Sequence, residues 1–267
     1  MSAKAKDTGA ISFPYLRRFN GIMGGVNLLQ AVLMLVAGLT IASISHFRLP
    51  LTSSFLSYDV AAHRLVSMVR QVGSLQIGPI VSSFLFLSAL FHLLTVLPGL
   101  NGVYNRHIEK GINPFRWFEY ALSSSIMIVL IAMLFGVYDL ASLIMVFALN
   151  ATMNLMGLMM EVHNQGAPRP RWTSFIIGCF SGAVPWAVVL MYFFGGGHFS
   201  QIPWFVYAIL GTYFVFFNLF PVNMVLQYRR IGKWSDYRYG ERGFILLSLV
   251  AKTVLAWLVF FGTFQPS

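Results

Sequence analysis

Apolar residues in this chain form seven long runs, separated by short polar or turn-forming segments. A helix needs about 20 mostly apolar residues to cross a bilayer. The breaks between the runs contain turn residues, such as Pro98 with Gly99 and the glycines at 195–197. The pattern predicts seven spans at residues 20–45, 76–99, 112–136, 139–162, 173–195, 203–228 and 243–264. The predicted fold is an all-α bundle of seven transmembrane helices, forming a single domain over residues 1–267.

The composition excludes a water-soluble globule. Of the 267 residues, 57% are hydrophobic and only 10% are charged, with a mean hydropathy of +0.72, whereas soluble domains carry about 25% charged residues. No charged residue lies between Arg18 and Arg48, or between Arg171 and Arg229. The N-terminus has neither the short apolar region nor the cleavage site of a signal peptide. We therefore expect a multi-pass protein of the cell membrane.

The distribution of Lys and Arg predicts the orientation. Fourteen of them lie in the N-terminal tail (Lys4, Lys6 and others) and in the even-numbered connections, with Arg116 counted among these. Only three lie on the opposite side, all in the first connection, and the remaining one, Lys252, is inside a span. Cationic residues accumulate on the cytoplasmic side. The N-terminus is therefore predicted to be cytoplasmic and the C-terminus extracellular, and the net charge of +10 indicates membrane flanks rather than a nucleic-acid partner.

The connection at residues 46–75 is the only long loop, and this orientation places it outside the cell. Loops of this length are usually functional or have structure of their own. Its short apolar runs, broken by Pro50 and Gly73, could form a small hairpin. A solvated lid is the alternative.

Three ionisable residues lie deep within predicted spans. They are Lys252 in SLVAKTVLAW, Glu119 in RWFEYALSSS and His92 in LSALFHLL. The other ionisable groups of the spans lie near helix ends, where Asp139, Glu161 and His163 are expected to be interfacial. A lysine at the bilayer centre costs about 2.5–3.5 kcal/mol on insertion scales, so Lys252 requires a partner or a purpose.

Two interpretations of Lys252 remain open from the residues alone. In the first, Lys252 pairs with Glu119 as a structural salt bridge, in a transporter or receptor without a chromophore. In the second, the amine forms a Schiff base with an aldehyde, because a desolvated lysine is a better nucleophile. The resulting buried cation would need an anion, and Glu119 is the obvious one.

Hydroxyl and aromatic residues around these groups favour a single polar site with an aromatic wall. Residues four apart share a helix face, and each deep ionisable group has such a serine: Ser88, Ser123 and Ser248. The fifth and sixth spans carry aromatic residues that could enclose a flat polyene. These are Trp186, Tyr207, Phe214, Phe216 and Phe217.

Seven spans, a lysine in the last and a carboxylate early in the third resemble a rhodopsin of the microbial type. A cytoplasmic N-terminus departs from ordinary microbial rhodopsins and resembles heliorhodopsins. Five segments look like heliorhodopsin segments in the right order and cover essentially the whole chain: LSALFH, RWFEYALSSSIMIVLIA, AVPW, GKWSDYRYGER and SLVAKTVLAW.

The resemblance implies all-trans retinal on Lys252 and Glu119 as its counterion. It places Ser88, Ser123 and Ser248 in the hydrogen-bond network of the counterion, and it matches His92 to the histidine of the family's second helix. Where heliorhodopsins often have another histidine, in the first helix beside this one, the chain has Asn27. An amide cannot take up a proton near neutral pH. Asn150 is also assigned to the cofactor site.

The expected function is light sensing, with a light-gated proton or ion conductor as the alternative. A pump needs a proton acceptor and a separate donor, and the third span continues past Ser125 as IMIVLIAMLF without an acid. No metal cluster or nucleophile–base pair indicates an enzyme. The family forms dimers, partly through the long outer loop, so the expected partners are membrane lipid, a second copy of the chain and a cytoplasmic signalling protein.

Overall fold

The computed structural model describes residues 11–197 and 203–262, and within them seven helices are long and apolar enough to span a membrane. The predicted seven-helix fold is confirmed. These helices are α1 (Phe13–Thr40), α3 (Ile77–Leu94), α5 (Pro114–Leu134), α6 (Leu140–His163), α7 (Thr173–Gly195), α8 (Trp204–Tyr228) and α9 (Tyr237–Gly262). Lys4, Lys6 and the predicted end of the last span at residues 263–264 lie outside the described residues.

Within the described residues, five further elements lie in the connections. Helix α2 (Ala42–Ser45) follows α1, and helix α4 (Leu100–Glu109) joins α3 to α5. Strands β1 (Arg48–Asp59) and β2 (Arg64–Gln76) occupy the long loop between α2 and α3. A short 3-10 turn, Gly232–Ser235, precedes α9.

Two spans begin earlier than the hydropathy pattern predicts, α1 at residue 13 instead of 20 and α9 at residue 237 instead of 243. The polar residues at both starts lower the hydropathy without ending the helix. In α1, the Ser12 side chain accepts a hydrogen bond from the backbone N–H of Tyr15, and proline occupies the first turn. Both features are typical of helix starts. A hydropathy window therefore reports the membrane-embedded part of a helix and misses its polar extension.

The long loop is an antiparallel hairpin, so the predicted hairpin is confirmed. Its base packs on the bundle through buried Leu49, and the backbone N–H of Thr52 donates to the carbonyl of Tyr138 at 2.9 Å. The next residue, Asp139, caps α6 by accepting from the backbone N–H and hydroxyl of Ser142, and these bonds hold the pKa of Asp139 below its usual range. The hairpin is thus fixed to the α5–α6 turn.

Helices α1 and α3 pack closely because two glycines face each other. A Cβ atom added to Gly78 would lie 2.6 Å from the Cα of Gly38. Small residues allow membrane helices to approach in this way. The packing fixes α3, which carries Ser88 and His92, against α1.

Candidate functional site

Lys252 and Glu119 form a buried ion pair that joins α9 to α5. The Nζ atom of Lys252 donates to Glu119 Oε1 at 2.6 Å and to Ser248 Oγ at 2.8 Å. The side chains of Lys252 and Glu119 are each only 4% exposed. Buried charges require compensation of this kind. The three residues from the predicted site therefore lie in direct contact.

The serines on either side of Glu119 differ in their contacts. Ser88 Oγ, from α3, lies 2.6 Å from Glu119 Oε1 and 3.1 Å from the carbonyl of Phe84. Ser123, one turn beyond Glu119 on α5, is fully buried, but its hydroxyl has no hydrogen-bond partner of good geometry among the described residues. Ser88 thus stabilises the carboxylate directly, and the hydroxyl of Ser123 also lies close to it.

A cavity of about 430 Å³ opens beside the ion pair, between α5, α6, α7, α8 and α9. Ser248 and Lys252 form part of its wall. Most of the lining is apolar or aromatic, including Trp117, Tyr120, Met127, Trp186, Phe217 and Met224. Ligand-binding pockets in proteins are typically about 300–1,000 Å³, largely apolar and provided with a few polar groups. This cavity has the size and lining of such a pocket, and its polar group is an amine.

The predicted aromatic wall is present around Trp186, with one exception. The rings of Phe214 and Phe217 lie 5.1 and 5.5 Å from that of Trp186, and both residues line the cavity, as does Phe216. Tyr207 does not line it: this side chain packs edge-on against Phe193, with ring centroids 5.5 Å apart. Placing Tyr207 in the wall was wrong because it lies one to two turns before the wall-forming part of α8.

The residues around the cavity fit a long, flat, apolar molecule that is joined to the amine. The indole N–H of Trp186 is buried in the cavity wall without a hydrogen-bond partner among the described residues. The ring of Tyr120 lies 5.3 Å from Lys252 Nζ, within the range of a cation–π contact. Sequence reasoning missed Tyr120 and Trp117, although both lie within the RWFEYALSSS segment.

Asn150 is near the cavity but does not line it. Its amide donates to the hydroxyls of Ser124 and Ser125 at 2.8 and 3.0 Å. Ser124 also accepts from Asn154, and these two residues do line the cavity. Asn150 therefore supports a residue of the cavity wall without lining the cavity itself. Asn154, one turn further on α6, lines the cavity and was missed.

His92 contacts a different asparagine of α1 from the one expected. Its Nδ1 lies 2.8 Å from Asn20 Oδ1. Asn27 instead donates to the carbonyl of Met23 at 2.9 Å, and its own Oδ1 is buried without a partner among the described residues. Asn20 was missed because it is the first residue of the predicted span, and Asn27, the position that the resemblance places beside His92, forms no hydrogen bond with the ring.

A second group of buried charges lies at the α4 end of the bundle. The guanidinium of Arg116 forms ion pairs with both Glu161 and Glu241. Glu161 also accepts from the indole of Trp117 at 2.7 Å and from the hydroxyl of Tyr237 at 2.9 Å. Arg116 and Glu161 lie near helix ends, as predicted, but they are buried within the protein and pair with each other, each being at most 6% exposed. His163 is exposed, as an interfacial residue would be.

This group of charges is linked to α4 through Tyr104. The hydroxyl of Tyr104 donates to Glu241 Oε1 at 3.1 Å, and the side-chain amide of Asn113 donates to the same oxygen at 2.7 Å. Burial and the nearby carboxylate raise the pKa of Tyr104 well above its usual value, so this hydroxyl keeps its proton. Hydropathy reasoning stopped at residue 243, so it could not assign Glu241 to a span.

Comparison with known proteins agrees with this geometry. A family model described as heliorhodopsin matches residues 16–264, nearly the whole chain. No curated protein matches the chain.

Proposed function

Because this chain belongs to the heliorhodopsin family, we propose that it is a light sensor in which Lys252 holds all-trans retinal through a Schiff base and Glu119 is the counterion. Family membership makes the protein a multi-pass, retinal-binding photoreceptor of the rhodopsin type. The assignment of residues, the isomer and the sensory role are the proposed part. They are supported most strongly by one observation: the Lys252–Glu119 pair borders the aromatic cavity.

Bound retinal supplies light absorption and a change of shape that follows it. The residues of the chain supply the environment. Glu119 balances the positive charge on the nitrogen of Lys252, and Ser88 donates a hydrogen bond that stabilises the carboxylate. Ser248 accepts from the amine, and the aromatic wall around Trp186 excludes water. A charge held in this way is stabilised by fixed dipoles, which need no rearrangement.

The distribution of buried acids argues against an ion pump. Besides Glu119, the buried acids of the described spans are Glu161 and Glu241, and both bind Arg116 at the α4 end of the bundle. Toward the hairpin, α5 continues from Ser125 to Leu134 without an acid, and Asp139 lies at the helix end. Outward or inward pumping would require separate proton groups on the two sides of Lys252. The described spans offer them on one side only.

A light-gated conductor is the alternative use of the same scaffold. Photocurrent measured under voltage clamp separates the two, because a sensor gives no sustained current and a conductor does. The transporter or receptor without a chromophore is also tested directly, since it would remain colourless after incubation with retinal.

The orientation and the dimer are further parts of the proposal. With the N-terminus in the cytoplasm, the hairpin is extracellular, and several of its apolar side chains are exposed: Leu56 is 73% and Val69 66% exposed. Exposed apolar patches indicate interaction sites. A second copy of the chain would cover this surface, and Leu56→Lys should then shift the detergent-solubilised protein from dimer to monomer. A signalling partner would bind the cationic cytoplasmic side.

The attachment of retinal is tested by reductive trapping. Borohydride reduces a Schiff base to a stable amine, so proteolysis and mass spectrometry of the illuminated or dark protein would identify the modified lysine. The proposal expects the modification on the peptide that contains Lys252. Modification elsewhere, or none in a coloured protein, would contradict it.

A further inference from the structure

The amide of Asn20 has a single orientation that satisfies its neighbours. One of its two terminal atoms lies 3.0 Å from the carbonyl oxygen of Leu16. A carbonyl oxygen only accepts hydrogen bonds, so the atom facing it must be the NH₂ group. The other terminal atom, which lies 2.8 Å from His92 Nδ1, is therefore the amide oxygen.

A second contact sets the same direction independently. The Asn20 amide nitrogen also lies 3.4 Å from the hydroxyl of Tyr104, and that hydroxyl donates its only proton to Glu241 Oε1. The hydroxyl can therefore only accept from Asn20. Glu241 in turn receives hydrogen bonds from Asn113 and Arg116, as expected for an ionised carboxylate. Asn20 therefore donates to Tyr104, and Tyr104 donates to the carboxylate of Glu241.

We propose that Asn20 is a positioning residue that holds His92 as the Nδ1–H tautomer and so leaves the lone pair on Nε2. An amide oxygen can only accept, so the Nδ1 atom beside it must carry the proton. A neutral imidazole has one N–H and one lone pair. With Nδ1 engaged, Nε2 becomes the nitrogen that can bind a proton.

The tautomer matters because His92 lies near the proposed counterion, Glu119. His92 and Glu119 both line a small cavity of about 20 Å³, which also contacts Tyr104, Arg116 and Glu241. A cavity needs about 10–15 Å³ to hold a water molecule, and polar groups to bind it. Lys252 does not line this cavity, but it donates a hydrogen bond to Glu119, which does. His92 is thus part of the polar region around the counterion.

The partner of His92 could not have been identified from the sequence pattern, which pointed to Asn27. Asn20 and Asn27 are seven residues apart and both are buried in α1. Of the two, Asn20 hydrogen-bonds to the ring and Asn27 does not. The pair therefore provides a matched comparison between two buried asparagines of one helix.

The tautomer can be measured by ¹⁵N NMR on histidine-labelled protein in lipid bilayers. The chain has six histidines, and the difference from His92→Gln assigns the signal. The expected spectrum shows Nδ1 protonated and Nε2 unprotonated, both before and after retinal is added. Because the measurement needs no retinal, its result is independent of the proposed chromophore.

Substitutions distinguish positioning from a merely structural role. Asn20→Leu removes the acceptor, and most His92 rings should then lose the Nδ1–H signal. Asn20→Asp keeps an acceptor at this position, so Nδ1 should stay protonated. This variant tests the proposal even if Asn20→Leu fails to fold. Asn27→Leu should leave the His92 signals unchanged. An Nε2–H tautomer or a doubly protonated ring in the wild type would overturn the proposal, as would a His92 spectrum that responds to Asn27→Leu but not to Asn20→Leu.

Discussion

Glu161 and Glu241 bind the same guanidinium, that of Arg116, and so hold α6 and α9 to the first turn of α5. Both carboxylates are buried, and Glu161 receives four donors from Arg116, Asn113, Trp117 and Tyr237. An amide in place of this carboxylate would turn an NH₂ group toward donors. The network therefore depends on the negative charge as well as on the shape of the side chain.

Glu161→Gln is expected to destabilise the bundle by about 3–5 kcal/mol, the usual cost of breaking a buried ion pair. Thermal unfolding in detergent measures this as a lower midpoint. Glu109→Gln is the matched control, because the same chemical change occurs at an exposed residue and should alter stability by less than about 0.5 kcal/mol. Equal midpoints for the two variants would show that the network contributes nothing to stability.

Glu119→Gln is expected to shift the visible absorption band of the retinal-loaded protein to the red. Loss of the anion beside Lys252 destabilises the positively charged ground state more than the excited state. The visible spectrum at neutral pH measures the shift, with Glu109→Gln again as the unshifted control. A band that does not move in Glu119→Gln would assign the counterion to another residue.

Trp186→Ala is expected to reduce formation of the visible band when retinal is added. It removes the ring that contacts Phe214 and Phe217 in the cavity wall, and truncating a buried tryptophan costs about 3–5 kcal/mol. Titration with retinal measures the loss. Tyr207→Ala, an aromatic truncation outside the cavity, should leave the yield close to that of the wild type. A larger loss for Tyr207→Ala would place the chromophore elsewhere.

Gly157→Ala is expected to destabilise the protein, because an added Cβ atom would lie 2.7 Å from Cε3 of the buried Trp117 ring. The cost of overpacking is typically about 1–3 kcal/mol. Gly25→Ala is the control, since no atom lies within 4 Å of a Cβ added there, and alanine favours the helix by about 1 kcal/mol. The melting temperatures should therefore change in opposite directions. A rise for both variants would contradict the close contact.

Hydropathy and charge were sufficient to predict the seven spans and the Lys252–Glu119 pair. Charged residues are so costly in a bilayer that two deep ones must meet. The pattern failed where helices extend beyond their apolar segments. Arg116, Glu161 and Glu241 compensate one another within the protein, so the sequence alone made them look like interfacial or loop charges.

Contacts within the site were also beyond the reach of sequence periodicity. Asn20 and Asn27 differ by two helical turns and share a face, so spacing could not decide which one contacts His92. Tyr207 and Phe214 share a face for the same reason, but only Phe214 reaches the cavity. Helix faces can be predicted from the sequence, whereas depth along the helix axis depends on how the helices pack.

Adding retinal to the purified protein and to its Lys252→Ala variant, and recording both visible spectra, tests the assignment of the chromophore most directly. Lys110→Ala, at an exposed lysine outside the spans, is the control. We predict a visible band in the wild type and in Lys110→Ala, and none in a folded Lys252→Ala protein. A band of normal position and intensity in Lys252→Ala, or a colourless wild type, would contradict the assignment.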